Sequence, residues 1–280
     1  TIGDADDVLV IIDNFEGDLS DIDPQTIESV SILKDASAVA VYGARGANGV
    51  LLVTTKKGSR NTKTTISYNT STSIQSTPRL QQTLNSSEYF NFQNSVIANE
   101  NLIRENDGDP ATEAFDLPWG QTTLDLAASG FYPNTNWIEE AFQNSASQQS
   151  HNLTLSGGSE NTSYLMSAGY LSQEGLSVGE DKFERLNLRL KIDTDINDWL
   201  NVGANALISN RTDKSVTVIG GSNNRGLPFF PVTTVDGLFV SNGTADGANT
   251  VASSSSGSFE EFDLDRINLQ LYAKITPFKG

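Results

Sequence analysis

The sequence predicts an α+β unit followed by a long antiparallel β-sheet, and three observations point there. Apolar residues run in continuous blocks up to about residue 58, they alternate with polar residues from about residue 64 onward, and the connections between the alternating runs are short and long by turns. The boundary falls near residue 60, which divides the chain into 1–60 and 61–280.

In the first part, Val8-Leu9-Val10-Ile11-Ile12 is a short apolar run stopped by Asp13-Asn14, the pattern of a strand buried on both faces. Asp23 is a helix N-cap residue and Pro24 has its φ pre-set for the first helical position, so a short helical turn through Glu28 is expected. Val30 and Ile32 then alternate with Ser29 and Ser31 as a second strand. Asp35 caps a small-residue helix over 36–42 that stops at Gly43. Gly46 and Gly49 break the loop, and residues 50–55 form another buried strand, closed by Lys56-Lys57-Gly58.

The second part has a period of two. Thr64, Ile66, Tyr68, Thr70, Thr72 and Ile74 share one face of an extended chain, against Thr65, Ser67, Asn69, Ser71, Ser73 and Gln75 on the other. The sharpest case sets Leu186, Leu188, Leu190, Ile192 and Ile196 against Asn187, Arg189, Lys191, Asp193 and Asp195. Runs at 151–157, 162–171, 199–209 and 265–276 repeat the pattern, which predicts about six strands. Residues 157–161 and Asn197-Asp198 read as tight turns, and 276–280 as the start of another. Residues 76–150, 172–182 and 210–264 are long polar excursions, all emerging at the same end of the sheet. Outer-membrane barrels have this asymmetry, with Tyr164, Tyr170, Phe183, Trp199, Tyr272 and Phe278 as interfacial aromatics. A soluble, secreted, carbohydrate-binding β-sandwich, in which those rings are core or rim, fits the alternation as well.

Composition removes several chemistries. A formal charge of -17, with no basic patch to interrupt it, repels phosphate backbones, so nucleic acid is excluded as a partner. With no Cys and one His, the chain has no thiolate zinc site, disulfide framework, cysteine nucleophile or multi-histidine centre. Mean hydropathy of -0.31 and the lack of any apolar run near ~18 residues argue against membrane helices. No signal-peptide pattern follows Thr1, so any such segment is expected outside the sequence.

The candidate sites have plain readings. Gly43-x-x-Gly46-x-x-Gly49 follows a helix and precedes a strand, the reverse of a dinucleotide fingerprint, so it is expected to be a tight structural loop. Arg45 on that loop is expected to bond carboxylates of the N-terminal unit or the sheet. His151 has no nucleophile around it and reads as a hydrogen-bonded rim residue. Glu139-Glu140 and Glu260-Glu261 fall on opposite faces when extended, so neither gives convergent carboxylates. Asp4, Asp6 and Asp7, and residues 106–109, lack the twelfth-position Glu of a calcium loop. Residues 241–258, rich in Ser, Gly and Asn, read as a mobile loop tip. No catalytic, cofactor-binding or metal-ligating residue is assigned, no cofactor is expected, and the protein is not expected to be an enzyme.

The run from Asp21 to Gly58, DIDPQTIESVSILKDASAVAVYGARGANGVLLVTTKKG, resembles the plug-domain signature of the SusC/RagA family of TonB-linked outer-membrane proteins. Asn134-Thr-Asn-Trp-Ile-Glu-Glu-Ala-Phe142, His151-Asn-Leu-Thr-Leu-Ser-Gly-Gly158 and residues 164–175 look like the same family's first barrel hairpin. Asn14 stands where the family has Gly, and Ala44 where it has Ser. The resemblance implies that 1–60 is the later part of a plug domain. Residues 61–280 are then the first strands of a transmembrane barrel of about 22 strands with long extracellular loops. It also implies TonB-dependent uptake of a large nutrient, a glycan or a peptide, across the Gram-negative outer membrane. The implied partners are the TonB-ExbB-ExbD complex, a SusD-like surface lipoprotein and outer-membrane lipids. A siderophore or cobalamin receptor is the nearest alternative, and the wording from Lys34 to Lys57 favours the nutrient branch.

Overall fold

Two sheets meet in this protein, and the smaller one is set by the N-terminal apolar runs. The computed structural model describes residues 8–19, 22–35, 40–76, 80–106, 116–216, 226–243, 247, 249–256 and 259–277. Strands β1 (Leu9–Ile12), β2 (Phe15–Glu16), β3 (Ile27–Leu33) and β4 (Val50–Thr55) pair in the order β2-β1-β4-β3. β1 runs parallel to β4, which requires cover on both faces. Leu9, Ile11 and Val50 pack on one side with Leu33, Tyr42 and Leu52. Ile12, Ile22 and Val53 pack on the other.

The turns of this unit follow from residue type. Ile12 pairs with Phe15 across a two-residue hairpin whose Asp13 (φ 46) and Asn14 (φ 74) are both left-handed, as a primed turn demands. Asn14 thus carries the backbone that the resembling family gives to Gly. Asp23 caps a 3₁₀ turn over Pro24–Thr26 by accepting the Gln25 amide at 2.9 Å. The turn ends earlier than Glu28 because Ile27 already pairs with Thr55 of β4. The helix expected over 36–42 falls partly outside the described residues. Its described end belongs to a 3₁₀ segment, Ala40–Gly46, that kinks at Gly43 (φ 62, ψ -150) and does not stop there.

The larger sheet is a wall of six strands in sequence order, every neighbouring pair antiparallel: β5 (Thr62–Ser76), β6 (Ser145–Gly158), β7 (Thr162–Glu174), β8 (Lys182–Asn197), β9 (Leu200–Val216) and β10 (Phe259–Ile275). Its polarity is inverted relative to a water-soluble sheet. Registered across the strands, Leu153, Met166, Leu188, Ile208, Ile267 and Leu269 point outward and are exposed, Leu269 at 61%. Asn152, Asn187, Arg189, Asn205 and Ser209 point the other way and are each at most 5% exposed. No second protein layer covers the leucines among the described residues, and the N-terminal unit lies against the polar face, so the two-layer sandwich does not describe this chain. From Leu186 to Ile196 the outward apolar stripe rises about 33 Å along the strand.

Several strands outrun their apolar stripe. β9 and β10 extend past the expected 209 and 265 into a region where Glu261, Asp263 and Asp265 take the outward face and Phe262 and Leu264 the inward one, so the outward apolar alternation breaks down. There Thr212 Oγ1 donates to Asp263 at 2.6 Å and Asn210 Nδ2 to Asp265 at 2.7 Å, cross-strand pairs that extend the ladder above the apolar band. The aromatic expectation divides. Tyr164 and Tyr170 lie on the outward face and Trp199 in the exposed turn, but Phe183 and Tyr272 point inward, the Tyr272 ring lying over Gly203. Phe278 lies outside the described residues.

The excursions are also more ordered than their polarity suggests. The first holds helices α1 (Ser86–Asn106), α2 (Gln121–Ala128) and α3 (Trp137–Glu140), and the last holds α4 (Thr250–Ser255). Phe90 of α1 packs against Trp119, Phe229 and Tyr132 at ring-centroid distances of 4.6, 4.8 and 5.4 Å. Trp137 Nε1 donates to Leu227 O at 3.1 Å, joining the first long loop to the last. Residues 241–258, expected to be mobile, include α4 with Thr250, Val251 and Ser254 buried.

Placing a cation in the middle of the outward stripe tests its solvent. In the full-length protein, Leu188→Arg is expected to lower folding stability in lipid vesicles by about 2–4 kcal/mol, read from urea unfolding.

Candidate functional site

The N-terminal unit meets the wall along a seam built from carboxylates on one side and amides and cations on the other. Asp13 sits at the tip of the β1–β2 hairpin, where the primed turn aims it at β4 and the wall. Its carboxylate accepts the Thr55 amide at 3.0 Å and the Thr55 hydroxyl. From the wall it accepts Arg189 Nη2, with Lys191 Nζ and Asn205 Nδ2 each at 3.5 Å. The Arg189 side chain is 2% exposed and that of Asp13 8%. Burial raises the Asp13 carboxyl, but the two Thr55 hydrogen bonds and the charges of Arg189 and Lys191 outweigh it, holding the group below its ordinary value.

A second contact lies at Asp23, which caps its own turn with Oδ1 and accepts Asn152 Nδ2 with Oδ2. Gly169 opposite makes this approach possible, since a Cβ there would stand 2.7 Å from Asp23 Oδ2. The third contact is where the chain passes from unit to wall. Arg60 forks onto Asp195 and, at 2.7 Å, Asp193, and the Asn61 amide donates to Ser159 O at 3.0 Å. Asp193 also accepts Asn201 Nδ2 at 3.0 Å and Tyr272 Oη at 2.8 Å.

Between these contacts the seam is hollow. A cavity of about 560 Å³ separates Thr26 and Lys56 from Asn69, Asn152 and Ser167. Two more, about 590 and 430 Å³, share Lys191 and Tyr272 as lining residues. Hydroxyls, amides and charges in such spaces hold water and can exchange hydrogen bonds.

The residues singled out in the sequence are not gathered here. Arg45 pairs with Glu16 of the same unit, on the exposed side. His151 faces outward, its Nδ1 2.8 Å from Tyr68 Oη and 3.1 Å from Thr70 Oγ1, the Tyr68 ring nearly parallel to its own. Glu139 and Glu140 lie in α3, not in a strand, and Glu260 and Glu261 take opposite faces of β10. Asp4, Asp6, Asp7 and 107–109 lie outside the described residues, within which no group of three His, Cys, Asp or Glu side chains could hold a metal. Asp13, Asp23 and Arg189 were not singled out. The one available signal was the pair of cations Arg189 and Lys191 on the polar face of β8, opposite its leucine stripe.

Comparison with known proteins gives the following. The family model described as the TonB-dependent receptor plug domain matches residues 2–50. TonB-dependent receptor P3 of Formosa agariphila is 30% identical over 284 residues, covering 98% of this chain and 25% of that protein. TonB-dependent receptor SusC of Bacteroides thetaiotaomicron is 29% identical over 233 residues, covering 78% of this chain and 20% of its own. Among solved structures, the RagAB peptide importer in its closed-closed state superposes with a TM-score of 0.72 at 26% identity, covering 98% of this chain and 33% of that one. The chain therefore spans about a quarter of the length of the curated relative it matches over 98% of its own residues.

Removing the Asp13 charge leaves Arg189 buried with no anion. Asp13→Asn in the full-length protein is expected to weaken docking of the N-terminal unit by about 3–5 kcal/mol, measured as faster hydrogen exchange in β1 and β4 with the wall unchanged. Because the Asp13 carboxyl is depressed in the folded state, its contribution is complete above the ordinary value of 3.8 and fades as pH falls through the depressed one. The urea midpoint for undocking should be more acid-sensitive below pH 3.8 in the unmodified protein than in Asp13→Asn.

Proposed function

The chain belongs to the SusC/RagA-like TonB-dependent receptors, and from that membership we propose that it forms the gated entry side of an outer-membrane nutrient importer. Residues 1–60 are the later plug and 61–280 the first barrel strands. The observation that carries the reading is the inverted wall, whose leucines face outward and whose amides and arginines are sealed by the N-terminal unit. That arrangement suits a lipid exterior and a lumen stoppered by protein. The relatives SusC and RagAB support the same reading, RagAB being a peptide importer.

In this reading the cargo is a large nutrient, a glycan or a peptide, taken in beneath a SusD-like surface lipoprotein. The TonB-ExbB-ExbD complex of the inner membrane supplies the work that moves the plug. The seam is the surface that must part, and its chemistry suits parting. It is held by three polar contacts with polar-lined cavities between them, and polar groups that leave one another can be rehydrated at modest cost.

A covalent bond across the seam tests the proposal. A Cβ at position 169 would lie 3.5 Å from that of residue 23, within the range of about 3.5–4.5 Å that a disulfide spans. Asp23→Cys with Gly169→Cys in the full-length receptor is expected to abolish energy-dependent uptake of fluorescent glycan or peptide pools under oxidising conditions. Reductant should restore it. Undiminished uptake by the cross-linked protein would show that the plug does not have to leave the wall here.

A further inference from the structure

We propose that β8 is a charge-graded track on which Asp13 steps from Arg189 to Lys191 as the plug moves, with Asp193 and Asp195 as its stop. The inference rests on the importer reading and adds to it a direction and a first step.

A carboxylate as buried as Asp13 cannot be pulled off its guanidinium into an apolar or empty space without a penalty of several kcal/mol. It can move cheaply only where another cation is within reach. Lys191 meets that condition, at 3.5 Å from the same Oδ2 that Arg189 holds. It lies two residues further along β8 on the same face, a displacement of about 6.6 Å, toward the short turn at Asn197-Asp198. Short turns mark the periplasmic end of such a wall, so the step runs in the direction of an inward pull.

Three further features fit. Arg189 holds Asp13 through one nitrogen, and its Nε and Nη1 have no hydrogen-bond partner among the described residues, so the grip is single-point and not a fork. Lys191 lines both the 430 Å³ cavity that contains Asp13 and the 590 Å³ cavity beyond it, so there is room for the carboxylate to arrive. Past Lys191 the same face of β8 turns acidic at Asp193 and Asp195, which Arg60 already occupies. A second anion meets repulsion there. Lys191 is thus a positioning residue, the waiting partner of a carboxylate that leaves Arg189.

The test uses the full-length receptor in cells, with Ser209→Cys as reporter. Ser209 is 2% exposed on the lumen face and outside the three contacts, and fluorescein maleimide is the probe. Cells are supplied with starch and casein digests together and compared with and without a protonophore. In the parent, energised cells should label several-fold faster. Lys191→Gln should abolish most of that gain while Lys191→Arg keeps it, and hydrogen exchange of β1 and β4 without energy should rise far less in Lys191→Gln than in Asp13→Asn, because Arg189 is the main resting partner. If energised labelling in Lys191→Gln equals the parent, or Lys191→Arg fails as badly as Gln, the track is wrong while the importer reading stands. If exchange without energy rises in Lys191→Gln as far as in Asp13→Asn, the lysine is an equal resting-state support and the track is again wrong. If the parent shows no energised gain, the importer reading falls, and the track with it.

Discussion

A sheet that turns its leucines outward must bury what stands between them. In this wall those residues are Asn152, Asn187, Arg189, Asn205 and Ser209, none of which can be left dry without partners. Most other features follow from this requirement. The N-terminal unit supplies Asp13 and Asp23 to the polar face, and the wall satisfies part of the rest within itself, as where Asn187 Nδ2 donates to Ser209 Oγ at 3.1 Å, while Arg189 Nε and Nη1 have no hydrogen-bond partner among the described residues. The N-terminal unit has its own apolar cores on both faces of its sheet, so it does not need the wall's hydrophobicity to fold. It docks through hydrogen bonds and charge, which let go more readily than a shared apolar core.

The junction at Arg60 differs in kind. Two carboxylates, one of them held in turn by the Tyr272 hydroxyl, and one backbone hydrogen bond hold a short covalent passage, and Gly58 is pressed so closely against the Tyr164 backbone that a Cβ would clash. One end of the unit is therefore fixed by chain and clamp together, while Asp13 and Asp23 hold the rest by side chains alone. A body attached in this way can shift along the wall only as far as this clamp allows.

The strands were legible in the sequence wherever one face was apolar and the other polar, because that contrast creates the period of two. β8 could be read almost residue by residue, whereas the upper parts of β9 and β10, where Phe262 and Leu264 turn inward and acidic residues outward, could not. The loop helices were missed for a different reason. Asn85 and Glu88 form a reciprocal cap, the Asn85 Oδ1 accepting the Glu88 amide at 2.9 Å and the Glu88 carboxylate accepting the Asn85 amide at the same distance. Asn136 and Asn249 likewise cap α3 and α4. These asparagines were read as loop composition when they were helix starts. The Asp13–Arg189 contact joins residues 176 positions apart, and no local rule reaches that far.

The aromatic cluster of Phe90, Trp119, Tyr132 and Phe229 makes one body of the first and last long excursions, segments separated in sequence by four strands of wall. Surface segments of this kind usually drift freely among related proteins. Here they are tied like two halves of a clasp, so a graft that carries one from a cousin without the other would strand half a core in water. Diversity at this rim must accumulate in matched pairs, and attempts to retarget the protein by swapping its outer segments should treat those two as a single inheritable block.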